Sequence, residues 1–307
     1  MKKESTLSKS FIPSFVKEKQ GDNKHGLLGR VKVNTLLKKI SLKKVIFGGI
    51  GTFVFALSLL FFDAFYGRNF RSMEDKINPA EEVDLRGLQN IRASGGSPTC
   101  FTFLKWKLRH IDEPIIIIDG MSEYHGFIKS IPSAFLGYHK PAKFKHLVRR
   151  FLLTGSTSIH PELVVSEKEE AKKYGFDYKK VNIGSTFVSS DEAIDNILTF
   201  YDSIPENAWL HFHCSHGKGR TSLMLVMLDT MKNAPQVSLK DIVKRQHLLG
   251  SEDLFNTEVW ENGTYTKEQL ENRKEFVEKF YQFICQRKAG GLQKWSDWHQ
   301  IQYKSVQ

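Results

Sequence analysis

The chain has 307 residues and a formal net charge of +11, length enough for one good-sized domain or two small ones. Residues 1–44 hold twelve lysines and arginines against three acids, a net of +9, whereas the other 263 residues hold 33 against 31, a net of +2. The positive charge therefore belongs to the tail, which excludes a basic nucleic-acid-binding body and leaves a nearly neutral folded part.

In chain order, residues 1–44 mix Lys, Ser, Gly and Asn with scattered apolar side chains and read as a basic, disordered tail, with a short helix near 35–40. Residues 45–62 carry no charge; Lys38, Lys39, Lys43 and Lys44 precede them and Asp63 follows. At a helical rise of ~1.5 Å per residue the run covers roughly 27 Å, close to the hydrocarbon thickness of a bilayer. The expectation is a single-pass membrane anchor through residues 45–62, with a cytoplasmic N-terminus and an extracytoplasmic domain. The alternative is a cleaved signal peptide and a secreted protein, against which stand a long basic region and the lack of an A-x-A-like site. A buried core helix is the third reading, since the run lacks a polar face.

Residues 63–84 read as a linker and 85–307 as the folded domain. Within it, 114–118 (Pro-Ile-Ile-Ile-Ile) is a β-branched run typical of a strand buried on both faces. Residues 152–156 and 178–183 are weaker strand expectations. Ser189-Ser-Asp-Glu192 has the form of a capping box, and the helix it opens keeps Ile194, Ile197, Leu198 and Tyr201 on one side. A second buried strand is expected over 208–213, an apolar helix over 219–231, and further helices over 238–249 and 266–288. The last begins with a capping box of Thr266 and Gln269 and should bury Phe276, Phe280 and Ile284. Strands alternating with helices imply an α/β domain with a central, mostly parallel sheet flanked by helices.

There are three cysteines, Cys100, Cys214 and Cys285. They cannot all pair, and no two have metal-ligand spacing, so at least one thiol is free. Cys214 lies in His213-Cys214-Ser215-His216-Gly217-Lys218-Gly219-Arg220-Thr221, a C-x5-R segment between the expected 208–213 strand and the 219–231 helix. A loop of this length can turn successive backbone N–H groups inward as an anion nest, helped by the positive end of the helix. Gly217 and Gly219 supply backbone freedom. Arg220 offers a planar fork to two phosphate oxygens. The nest favours the charged form of Cys214, making it a nucleophile toward phosphorus. His213 is expected to orient the loop and tune the thiol, and Thr221 to direct its hydroxyl at the sulfur. Ser215, His216, Gly217, Lys218 and Gly219 are the candidate substrate-binding residues; Lys218 and His216 read equally well as solvated rim charges.

The segment from Trp209 through Thr221 resembles the bacterial protein-tyrosine-phosphatase-like inositol polyphosphatases, also called cysteine phytases. Further similarities are Arg92-Ala93-Ser94-Gly95; the strand 115–119 with Glu123, His125, Gly126 and Phe127; and residues 241–250 and 276–281. The resemblance covers roughly 85–300. It implies the cysteine-phosphatase fold, hydrolysis of inositol polyphosphates or other multiply phosphorylated substrates through a phosphocysteine, and no metal or other cofactor. Two departures stand out. The family's Asp-Leu-Arg at the strand end is Asp119-Gly120-Met121 here. The place of its general acid, an aspartate near a Trp-Pro, falls at Ser185 in the loop 184–190, which has no carboxylate. Asp191 is the nearest one in sequence, and it also reads as an ordinary first-turn acid of a capped helix.

Three functions stay open: an inositol polyphosphate phosphatase, a phosphoinositide or phosphotyrosine phosphatase, and a polyphosphate-binding protein with weak or no turnover for want of that aspartate.

Overall fold

The computed structural model describes residues 42–304 except 79, 139–141, 185–189 and 260–264. The expected helix at 35–40, Ser185, Ser189 and most of the loop 184–190 lie outside the described residues. The boundary between the chain's two compact units falls between Ala56 and Leu57.

Helix α1, Leu42–Tyr66, crosses that boundary. It is long and apolar enough, over Lys43–Tyr66, to cross a membrane by length and composition. Its final turns belong to the second unit and are fastened there. Arg149 donates from Nε to Leu60 O at 2.6 Å and pairs with Asp63, and the Thr99 hydroxyl donates to Phe65 O at 2.5 Å. Ala64, Cys100, Ile131 and Phe135 pack together at this seam.

The second unit is built on a five-stranded sheet in the order β1-β2-β7-β3-β6. The strands are β1, Arg71–Ser72; β2, Ala93–Gly96; β3, Ile115–Asp119; β6, Asp177–Lys180; and β7, Trp209–His213. Only β1 runs antiparallel, so the parallel α/β expectation holds for the rest. A small hairpin, β4 (Phe127–Ile128) with β5 (Ile131–Pro132), stands apart. The register sets Asp119 at the end of β3 beside His213 at the end of β7, with Gly96 on the other side. Ligand sites of parallel sheets lie outside these carboxyl ends. Strand β1 falls inside the stretch 63–84 read from sequence as linker; that stretch contributes to the sheet.

Helices α2 (Phe101–Lys107), α3 (Phe144–Thr154), α4 (Glu167–Lys173), α5 (Asp191–Ser203), α6 (Gly219–Asn233), α7 (Leu239–Leu248), α8 (Lys267–Lys288) and α9 (Trp295–Lys304) surround the sheet. Helices α4, α5, α7 and α8 start where a side chain satisfies an orphan N–H group of the first turn. Thr266 and Gln269 form the expected reciprocal box on α8, and Ser166 with Glu169 forms another on α4. On α5 the cap is Ser190, which accepts from Ala193 N, and Ile194, Ile197, Leu198 and Tyr201 are buried as the period requires. Helix α6 buries Leu223 through Leu228 without a break, because sheet and helices enclose it on all sides. Each such side chain contributes about 1.5–3 kcal/mol of burial. Asp229 on the same helix is fully buried and answered by Arg245 of α7, whose Nε donates to it at 2.9 Å. The strand expected over 152–156 is not formed: its first half is the end of α3.

Candidate active site

Strand β7 delivers the chain to Cys214, and the loop closes when α6 begins at Gly219. The backbone N–H of His216 in the loop and that of Thr221 in the first turn of α6 turn to the Cys214 sulfur. Gly217 makes the curl possible. Its φ is +67°, and a Cβ there would lie 2.3 Å from Gly96 C and Ser97 N, so backbone of β2 leaves room only for hydrogen. Gly219, expected to supply similar freedom, is not at positive φ and simply opens the helix.

Cys214 is buried. Burial pushes its pKa up, but the Thr221 hydroxyl, the Arg220 charge and the N–H groups of Thr221 and His216 outweigh it, and the thiol ends below its ordinary value. Thr221 Oγ1 is buried with no conventional hydrogen bond, so the thiolate is the group that its O–H can serve. Cys100, by contrast, is pushed up to about 12 by burial, and Cys285 is also raised by burial. Of the three cysteines, only Cys214 is shifted toward thiolate.

Arg220 is held from the strand β3 side. Its Nη1 donates to Gly120 O at 3.0 Å and Ser122 Oγ at 3.1 Å, and both Nη atoms reach the Glu123 carboxylate at 3.0–3.3 Å. The loop's other side rests on Arg71 of β1, 2 % exposed. Its guanidinium donates to Gly217 O at 2.7 Å, Asn69 O at 2.9 Å, Ser251 Oγ at 2.8 Å and Ser222 Oγ at 3.1 Å. Burial lowers its pKa to about 10, against the opposing pull of Cys214 and Glu252.

Beside Cys214 lies a buried quartet. His125 Nδ1 donates to Glu123 O at 2.6 Å, and its Nε2 lies 3.0 Å from Asp119 Oδ2 and 2.9 Å from Glu167 Oε2. With one nitrogen on a carbonyl and the other between two carboxylates, both carry protons. Burial opposes that charge, but the two carboxylates prevail and raise the pKa to about 10. His213 Nε2 lies 3.0 Å from Glu167 Oε1, bent away from a good hydrogen bond, and Glu167 holds its pKa above the ordinary value despite burial. Asp119 and Glu167 are lowered in turn: against burial, the proton of His125 is the largest pull on Asp119 and the charge of His213 the largest on Glu167. Ligand atoms of Asp119, Glu167 and His213 lie within 4.8 Å of one another, near enough to share a cation. Imidazolium protons satisfy the same carboxylates.

A cavity of about 380 Å³ opens above Cys214, lined by His216, Lys218, Gly219 and Arg220 on the loop side. Across it stand Glu252, Asp253, Glu258, Tyr265 and Arg273. Ser215 and Gly217 belong to the loop but not to the cavity wall, and Lys218 Nζ pairs with Glu252 Oε1 at 3.1 Å. Asp191 is elsewhere occupied: it accepts from Trp295 Nε1 at 2.8 Å and lies 3.0 Å from His299 Nδ1, fastening α9, and it is absent from the cavity wall. Sequence reasoning missed Arg71, Glu167 and the 252–273 wall. Arg71 sat in a presumed linker and Glu167 in an ordinary first helical turn. Of the quartet, the sequence pointed to His213 beside Cys214 and, through the resemblance, to Asp119 at the end of a buried strand and His125 after it; Glu167 carried no signal.

The PTP-like phytase family model, described by inositol hexakisphosphate, matches residues 135–232. The uncharacterized protein AvrBs1.1 of Xanthomonas campestris pv. campestris is 36% identical over 91 residues, 29% of this chain and 86% of that protein. The tandemly repeated protein tyrosine phosphatase like phytase of Mitsuokella multacida superposes with a TM-score of 0.59 at 26% identity, covering 76% of this chain and 46% of that one. This chain belongs to the PTP-like phytase family. A PTP-like phytase from Bdellovibrio bacteriovorus shares the fold, with a TM-score of 0.54 at 24% identity over 76% of this chain and 89% of its own. The effector protein hopD2 of Pseudomonas syringae pv. tomato is 29% identical over 136 residues, 44% of this chain and 29% of that protein. The chain thus spans under a third of hopD2 and about half of the tandem Mitsuokella protein.

Proposed function

We propose that this protein hydrolyses phosphate monoesters, inositol polyphosphates foremost, with Cys214 as nucleophile. The observation that carries the reading is a thiol lowered below its ordinary pKa at the foot of a 380 Å³ cavity, under two inward N–H groups and the Arg220 guanidinium. The sulfur attacks phosphorus while the phosphate oxygens take the N–H groups and Arg220. The bond between phosphorus and the inositol oxygen breaks, and that leaving oxygen takes a proton. Water then attacks the phosphocysteine, the S–P bond breaks, phosphate departs and the thiolate returns. His213 orients the loop within its carboxylate pairings, and Thr221 serves the sulfur as it leaves.

Family membership supports the substrate class, and a Mitsuokella multacida homologue has been solved with myo-inositol-(1,3,4,5)-tetrakisphosphate. In this reading Asp191, committed to Trp295 and His299, is not the proton donor. Glu252, Asp253 and Glu258 are the carboxylates in the cavity wall. We read the apolar helix Lys43–Tyr66 as a membrane anchor, with the basic tail cytoplasmic and the domain across the bilayer.

Phosphate release from inositol hexakisphosphate by the full chain, compared with Cys214→Ser, is the test. Release by the native protein alone supports the proposal, and equal release by both ends it. Tight inositol phosphate binding with no single-turnover burst of phosphocysteine would instead identify a binding protein.

A further inference from the structure

Helix α3 is built inside out. Its buried residues are Arg149 and Arg150, at 1 % and 3 % exposed, while Phe144, Phe151 and Leu152 stand 81 %, 55 % and 46 % exposed. At 100° per residue, Phe144, Val148, Phe151 and Leu152 share one arc of about 100°, opposite the arginines. Soluble surfaces place charges outward on such a helix, so this inversion calls for an apolar neighbour.

The inward arginines have defined work. Arg150 donates to Leu136 O at 2.9 Å and Thr157 O at 2.7 Å. Arg149 donates to Phe135 O at 3.1 Å, pairs with Asp63 and donates to Leu60 O, which fastens α3 to the last turns of the apolar helix. Those turns also expose Phe62, Phe65 and Tyr66.

We propose that the outward face of α3 is a membrane-contact surface, resting on the headgroup–acyl boundary of the bilayer that holds α1. The proposal rests on the anchor reading given above. Direct bonding of α3 to the end of the spanning candidate selects lipid as the occupant. An interfacial helix has this form, apolar on the lipid side and flanked by lysines; here Lys143 and Lys145 at its start are exposed.

The test uses the full chain in phosphatidylcholine–phosphatidylglycerol nanodiscs, carrying Cys214→Ser and Cys285→Ser. An environment-sensitive fluorophore is placed at Phe151→Cys, at Phe144→Cys, or at Lys240→Cys on exposed α7 as the control. Spin-labelled lipid should quench positions 144 and 151 at least about threefold more than position 240. Equal quenching at all three overturns the proposal while leaving the anchor intact. Failure of the chain to enter nanodiscs overturns anchor and proposal together. A blue-shifted emission at 151 that lipid does not quench, and that grows with protein concentration, assigns the face to a second copy instead and also overturns it.

Discussion

Replacing Arg71 with methionine should separate the electrostatics of the nucleophile from the scaffold that holds it. The guanidinium makes four hydrogen bonds, to Gly217 O, Asn69 O, Ser251 Oγ and Ser222 Oγ. Bonds from a charged donor are worth about 1.5–3 kcal/mol each, a gross gain of roughly 6–12 kcal/mol, offset by several kcal/mol for desolvating the cation. The net cost of Arg71→Met is about 3–5 kcal/mol. Arg71 and Cys214 also attract one another. Removing that charge should raise the Cys214 pKa in the variant, with the closer Arg220 charge and the Thr221 and His216 donors still in place. The assay is the rate of iodoacetamide alkylation at Cys214 against pH, read by mass spectrometry, with Cys100 and Cys285 as slow internal controls. Arg71→Lys keeps the charge and loses the fork, so it should destabilise while retaining most of the thiol shift. An alkylation profile for Arg71→Met that overlays the native one would refute the reasoning.

Gly217→Ala forces a Cβ into the backbone of Gly96 and Ser97 at positive φ; phosphatase activity should fall at least about a hundredfold, and near-native turnover would show that the loop relaxes freely. Glu167→Gln removes the shared partner of His125 and His213, which should cost about 3–5 kcal/mol of stability by thermal melting at pH 7. The raised pKa of His125 gives stability that is full below its unfolded value and is lost as pH climbs toward about 10. The native melting temperature should therefore fall on the alkaline side, and Glu167→Gln should flatten that fall; an unchanged alkaline limb would count against the pairing. Asp191→Asn should leave the acidic limb of the pH–rate profile in place while costing about 1–2 kcal/mol through the bonds to Trp295 and His299. Loss of that limb would restore Asp191 as proton donor.

The sheet and the loop were legible because their signals are local. A β-branched run became β3, and a short apolar strand running into C-x5-R became β7 and its turn. Helix α3 was hidden for a physical reason. Phe151-Leu152-Leu153 is too short a run to carry a period, and the helix that holds it puts arginine where a core residue is expected. Strand β1 is two residues long, and Arg71 looks like a surface cation until four acceptors from separate segments converge on it. The quartet of Asp119, His125, Glu167 and His213 is assembled from four places in the chain, so sequence spacing could not announce it. Helix α5, expected from Ser189-Ser-Asp-Glu192, is capped by Ser190 alone, since the N3 position is then Ala193, which has no polar side chain to complete a reciprocal box.

Only residues 67–70 separate the end of α1 from β1. Fully extended, four residues reach roughly 14 Å, so with the helix in a bilayer the domain works on a short leash. If the helix spans a bilayer and the domain hydrolyses phosphate esters, as proposed, turnover would follow the flux of esters arriving at the surface and be set by protein density per unit area rather than by concentration in solution.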